Sequence, residues 1–243
     1  MHIRLEKIAK RYGRAWALEG VSATFEPGQI ISILGANGAG KTTLLCAMAG
    51  IAAPSFGKVL YDGQPFHRGK LDLRQRLMFL PDQPMMFARM SILQHIAMCI
   101  HLYKAPEPNP ERVVEILRHL DLLALATTPA GALSRGQVYK ASLAALFVID
   151  PELWILDEPF ASGMDPNGII CFKKEATQAA KRGRIVFYTT QILEIAERFS
   201  DRICVLENGQ IRMNGNAEQL KTAAGTESLE DLFMALRDPE RRR

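Results

Sequence analysis

Two stretches of this 243-residue chain hold residue types that could do chemistry together. The first is Gly35-Ala36-Asn37-Gly38-Ala39-Gly40-Lys41-Thr42-Thr43. It fits G-x-x-x-x-G-K-[ST], the pattern of a phosphate-binding loop. Its glycines let the backbone curl so that successive amides converge on one anion. Lys41 would bring positive charge to the terminal phosphates. Thr42 offers a hydroxyl to magnesium, a hard cation that takes oxygen ligands. The second stretch is the acid pair Asp157-Glu158, which closes the apolar run Leu153-Trp154-Ile155-Leu156. Acids at the carboxyl end of a buried parallel strand sit at the crevice where open α/β sheets bind ligands. Asp157 suits the magnesium hydration shell, and Glu158 is placed to polarise an attacking water.

Both stretches need elements that position them. Ile30-Ile31-Ser32-Ile33-Leu34 is an apolar run suited to a buried strand, and residues 42–49 form a helix that Gly50 stops. An anion on the loop would then meet the positive end of a helix dipole. Residues 2–7 alternate as a half-buried strand, and residues 18–25 give a second one. Between them Arg11-Tyr12-Gly13 reads as a turn with an exposed aromatic. Residues 58–61 form a short strand before a hairpin signal at Asp62-Gly63. The strand at residues 77–80 runs into Pro81-Asp82-Gln83-Pro84, an extended loop enforced by two prolines.

The pattern then becomes helical. Apolar residues recur at helical spacing over 91–102, with Ser91 as N-cap. Pro106, Pro108 and Pro110 stiffen the link to an amphipathic helix over 111–125. Residues 85–150 read as a helical lobe inserted in an α/β core made of residues 1–84 and 151–243. In that core, helices follow at 167–181 and 192–199, and strands at 185–188 and 203–206. A hairpin follows at Asn208-Gly209, then two short tail helices at 217–223 and 229–236.

Composition narrows the function. Hydrophobic residues at 48% and charged residues at 23% are those of an ordinary globular protein. No apolar stretch is long enough to cross a bilayer. The N-terminus lacks the apolar core of a signal peptide, so the expected location is cytoplasmic. The net charge is only +4, with Arg237, Arg241, Arg242 and Arg243 supplying much of the excess. No basic run interleaves with aromatics, so no nucleic-acid partner is expected. Cys46, Cys99, Cys171 and Cys204 are scattered and read as buried free thiols. The five histidines show no zinc-like spacing.

From Tyr12 to about Gly215 the chain resembles an ATP-binding subunit of the ABC transporter family. Leu133-Ser134-Arg135-Gly136-Gln137 looks like that family's signature sequence, and it precedes Leu156-Asp157-Glu158-Pro159 in the family's order. The resemblance implies a P-loop NTPase fold: a parallel sheet core with an antiparallel β edge and an inserted helical lobe. It implies ATP and Mg2+ as ligands and a head-to-tail pair of ATP-binding subunits with ATP sandwiched between them. One subunit would supply Gly35, Asn37, Gly38, Ala39, Gly40, Lys41, Thr42 and Thr43. The other would supply Ser134, Gly136 and Gln137. Tyr12 occupies the adenine-stacking position, with Trp16 close enough to compete. Thr42, Asp157 and Asp82 would face the metal, and Glu158 and Gln191 would be catalytic. The partner implied is an integral membrane permease, which places the chain on the cytoplasmic face of the membrane. The helical lobe and the loop from Asp82 to Phe87 would contact that permease, and the Pro81-Asp82-Gln83-Pro84 loop leans toward an exporter.

Four positions depart from the family pattern. Arg135 stands where many members have glycine, and Asp82 where the lid loop has glutamine. Phe160-Ala161-Ser162-Gly163-Met164-Asp165 is one residue longer than the usual loop to the dimer-contacting aspartate, for which Asp165 is the candidate. Gln191 stands where the family has histidine, and glutamine cannot carry a proton charge near neutral pH. Glu158 argues for hydrolysis and Gln191 for slow hydrolysis. Two readings therefore stand: an ATPase that energises a permease, and a weakly hydrolytic regulatory subunit in a heteromeric complex.

Overall fold

Burial pattern sorts the strands into two sheets. Those with alternating exposure, β1 (Ile3–Tyr12) and β2 (Ala15–Phe25), pair antiparallel, and β4 (Phe56–Tyr61) and β5 (Gln64–Pro65) extend them in the order β2-β1-β4-β5. Those buried along their whole length, β3 (Ile30–Leu34), β7 (Leu153–Leu156) and β8 (Ile185–Thr190), lie inside a six-stranded sheet. Its order is β10-β9-β3-β8-β7-β6, with β6 at Leu77–Leu80, β9 at Arg202–Glu207 and β10 at Gln210–Gly215. All pairs are parallel except β9 with β10. A parallel sheet needs cover on both faces, which accounts for the unbroken apolar runs. The computed structural model describes residues 1–237; Arg241, Arg242 and Arg243 lie outside the described residues.

Period-two alternation in those runs feeds two cores. Leu153, Ile155, Ile185 and Phe187 point to the antiparallel sheet and to α1 (Lys41–Met48). Trp154, Leu156, Val186 and Tyr188 point to the opposite layer. There they meet α3 (Ile92–Tyr103), α4 (Pro110–His119), α5 (Arg135–Ile149) and α6 (Pro166–Lys181), with a short α2 (Leu71–Arg74) preceding β6. Each fully buried Leu, Ile or Phe contributes about 1.5–3 kcal/mol. A third cluster joins Leu34, Ile203 and Val205 of the sheet to Ala196 on α7 (Leu193–Phe199), Leu220 on α8 (Ala217–Ala224) and Leu229 and Leu232 on α9 (Leu229–Arg237).

The helix starts follow local chemistry. Ser91 and Gln94 close a capping box on α3, and Ser134 and Gln137 close another on α5. Asn109 caps α4, with Pro110 in its first turn. The helix expected over 111–125 is shorter: α4 ends at His119, and Leu123–Leu125 forms a separate 3-10 turn. Asp121 adopts a left-handed φ of 55°, and the Leu122 amide reaches back to the Leu117 carbonyl at 2.8 Å, which terminates the helix. The first strand runs past residue 7 to Tyr12, and the turn lies at Gly13-Arg14 instead of Arg11-Tyr12-Gly13. Register explains both shifts: Arg11 pairs with Trp16 and Tyr12 with Ala15, so the hairpin ladder continues to its tip. Among the described residues no helix is long and apolar enough to cross a membrane.

Candidate functional site

The phosphate loop leaves the centre of the parallel sheet at the end of β3 and enters α1. Gly40 makes the junction with φ 103°, a left-handed conformation, and a Cβ there would collide with the Ala17 carbonyl. Because Gly40 caps α1 without a side chain, the first-turn amides have no side-chain acceptor and are left for an anion. The Lys41 ammonium is buried. It donates to the Gly35 carbonyl at 2.9 Å and lies 3.2 Å from Glu158 Oε1.

Strand register brings the acids to the loop. Parallel pairing of β3 with β8 and of β8 with β7 aligns the carboxyl ends of all three strands. Thr42 donates its hydroxyl to Asp157 Oδ2 at 2.7 Å. On the other side Thr189, fully buried on β8, donates to Asp157 Oδ1 at 2.6 Å. The same Thr189 oxygen accepts from the Glu158 amide at 2.8 Å. Glu158 itself sits at φ 47°, a strained conformation for a non-glycine residue, and these contacts hold it there. A cavity of about 360 Å³ opens between the two stretches, lined by the loop residues other than Gly35 and Ala39, together with Ala17, Asp82, Asp157 and Glu158. A larger groove of about 870 Å³ crosses the antiparallel sheet near Arg4, Glu6, Lys7 and Lys58, and no motif residue lies in it.

The donor set in the smaller cavity suits Mg2+: the Thr42 hydroxyl and the Asp157 and Asp82 carboxylates are hard oxygen donors. Among the described residues no cluster of three His, Cys, Asp or Glu forms a protein-only metal cage.

The remaining predicted residues fall outside the cavity lining. Ser134, Gly136 and Gln137 open α5, and the Gln137 side chain is spent on accepting from the Ser134 amide at 2.8 Å. Gly136 packs so close to Gly163 that a Cβ would strike the Gly163 carbonyl. Arg135 reaches the cavity indirectly, donating to Asp82 at 2.8 Å. Asp165 caps α6 through the Gly168 amide at 2.8 Å and accepts from Lys140, on α5, at 2.7 Å. The Lys140 bond, then the Gly168 amide, holds the Asp165 carboxyl below its usual range. Gln191 follows the end of β8 and is exposed. Tyr12 is exposed with the Lys10 ammonium 5.1 Å from its ring centre. Trp16 packs 6.2 Å from Phe56, with Arg11 over its ring.

Sequence reasoning gave Thr189 no role. Its signal is the pair Thr189-Thr190, polar residues at the carboxyl end of a strand that begins Ile185-Val186-Phe187. The cysteines carry no site: Cys99, Cys171 and Cys204 are buried, Cys46 is partly so, and burial pushes the Cys171 thiol up to about 11.

Comparison with known proteins bears on this geometry. A family model described as ABC transporter matches residues 18–161. The chain is 29% identical over 237 residues to the ABC-type transporter ATP-binding protein EcsA of Bacillus subtilis (strain 168), covering 96% of each. It is 35% identical over 191 residues to the cytochrome c biogenesis ATP-binding export protein CcmA of Escherichia coli (strain UTI89 / UPEC), covering 78% of this chain and 89% of that one. Among solved structures, an ATP-binding subunit of an ABC transporter superposes with a TM-score of 0.92 at 24% identity, covering 98% of this chain and 100% of that one.

Proposed function

The chain belongs to the ABC transporter family as an ATP-binding subunit, and from that premise we propose that it hydrolyses Mg-ATP to drive export through a separate membrane-spanning permease. The observation that carries the reading is the meeting of the two motifs: Thr42 bonded to Asp157 at 2.7 Å beside Lys41 at 3.2 Å from Glu158. The name of the CcmA relative, an export protein, supports the direction.

In this reading the first-turn amides of α1 and the Lys41 ammonium bind the β- and γ-phosphates. Lys41 exchanges its contacts with the loop carbonyls and Glu158 for phosphate oxygens. Thr42, Asp157 and Asp82 would hold Mg2+, which supplies charge neutralisation on the phosphates when bound. Glu158, freed from Lys41, accepts a proton from the water whose oxygen attacks the γ-phosphorus, while the bond from that phosphorus to the β,γ-bridging oxygen breaks and ADP leaves with the electron pair. Thr189 keeps Asp157 and the Glu158 backbone in register while this happens. A second subunit brings its Ser134 and Gly136 onto the γ-phosphate, with Asp165 at the contact. Residues 1–84 and 151–243 act as the ATP-binding core. Residues 85–150 act as the signature-bearing lobe, which with residues 82–87 meets the permease on the cytoplasmic face.

One observation favours a second reading, a poorly hydrolytic regulatory subunit. Gln191 stands exposed at the end of β8 and cannot act as a proton carrier. Steady-state ATP turnover with and without the permease, beside Glu158→Gln and Gln191→His, separates the two. Turnover abolished by Glu158→Gln supports the motor. Binding without turnover, with turnover gained in Gln191→His, supports the regulatory subunit. A wild-type chain that binds no nucleotide would overturn both.

A further inference from the structure

Arg135 sits in the first turn of α5, beside Ser134 and Gly136. It donates to Asp82 at 2.8 Å, and Asp82 is part of the phosphate-cavity lining.

The first turn of α5, which carries Ser134 and Gly136, is thus tied by a guanidinium to its own chain's cavity. A guanidinium and a divalent cation on one carboxylate repel each other. Resting on the nucleotide reading above, we propose that Arg135 and the nucleotide-borne divalent cation compete for Asp82, so that cation loading releases the signature turn from its own cavity. The pair is exposed, with side-chain exposures of 54% and 40%. Such a pair shifts an equilibrium by about twofold to fivefold.

The test is equilibrium binding of a fluorescent, non-hydrolysable ATP analogue to the full chain during a Mg2+ titration, with light scattering read in parallel. Arg135→Ala should lower the half-saturating Mg2+ by about twofold to fivefold and move the onset of dimerisation by the same factor. Arg135→Lys should stay near wild type. Added NaCl should bring wild type toward the Arg135→Ala value. Arg135→Ala combined with Asp82→Asn should match Asp82→Asn alone. Wild-type binding with an unchanged Arg135→Ala titration, or an additive double variant, would overturn the competition alone. A wild type that binds no analogue at any Mg2+ would overturn the nucleotide reading, and this inference with it.

Discussion

Replacing Thr189 by valine isolates one oxygen at the centre of the site. Valine keeps the volume and the β-branch of threonine in a fully buried strand position, so packing changes little. What goes is the hydroxyl, which donates to Asp157 Oδ1 at 2.6 Å and accepts from the Glu158 amide at 2.8 Å. A bond to a charged group contributes about 1.5–3 kcal/mol, and a buried amide left unpaired costs about 1–3 kcal/mol. Asp157 keeps its bond from Thr42 at 2.7 Å, so the carboxylate is loosened, not orphaned. The two losses are coupled through one residue, and the combined destabilisation is about 3 kcal/mol. For a chain of this length that lowers the melting temperature by roughly 6–12 °C. Glu158 loses the contact that pins its φ of 47°, and a misplaced base of about 1.5–3 kcal/mol slows turnover about tenfold to more than a hundredfold. The assay is urea unfolding beside ATP turnover and nucleotide affinity. The expected pattern is lower stability, a lower kcat and a nearly constant nucleotide affinity. Thr189→Ser should recover most of both. A Thr189→Val chain within 0.5 kcal/mol of wild type at undiminished kcat would refute the reasoning.

Gly136→Ala should cost about 1–3 kcal/mol, because the new Cβ meets the Gly163 carbonyl, and an unchanged unfolding midpoint would count against that packing. Tyr12→Ala should weaken ATP affinity by fivefold or more, while Trp16→Ala, whose ring is engaged with Phe56 and Arg11, should leave it near wild type; the reverse order in an equilibrium titration would reassign the stack. Glu152 is held below its ordinary value of 4.5 by the Arg76 hydrogen bond, with burial opposing. A depressed carboxylate gives stability that is full above the ordinary value and lost as pH falls through the folded-state value. Melting temperature should therefore fall on acidification below about pH 4.5. Glu152→Gln should flatten that fall, and an unchanged slope would exclude the pair as its source.

Much of the candidate site was legible because its parts are short and contiguous. The phosphate loop is one run whose glycines, lysine and threonine are each required by backbone geometry or charge, and the strand before it and helix after it formed as read. The acid pair was legible because a buried apolar run can end in two acids only where something outside the sheet receives them. The helical segments were legible from period and capping residues, as with Ser91 and Ser134. Boundaries were less so: Asp121 ended α4 by a left-handed turn that no breaker residue announced, and the β1–β2 ladder continued because pairing rewards it to the tip.

The sequence by itself determined the local elements of the candidate site, since local backbone geometry and residue charge make a phosphate-loop pattern and a strand-end acid pair recognisable wherever they lie. Only the tertiary structure decided which side chains meet those residues from a distance. Thr189 meets Asp157 across 32 residues, Lys140 meets Asp165 across 25, and Arg135 meets Asp82 across 53. Those contacts are set by parallel register and by the packing of α5 on the sheet. A one-residue slip in register would turn each strand side chain to the other face, so long-range packing, and no local pattern, selects them.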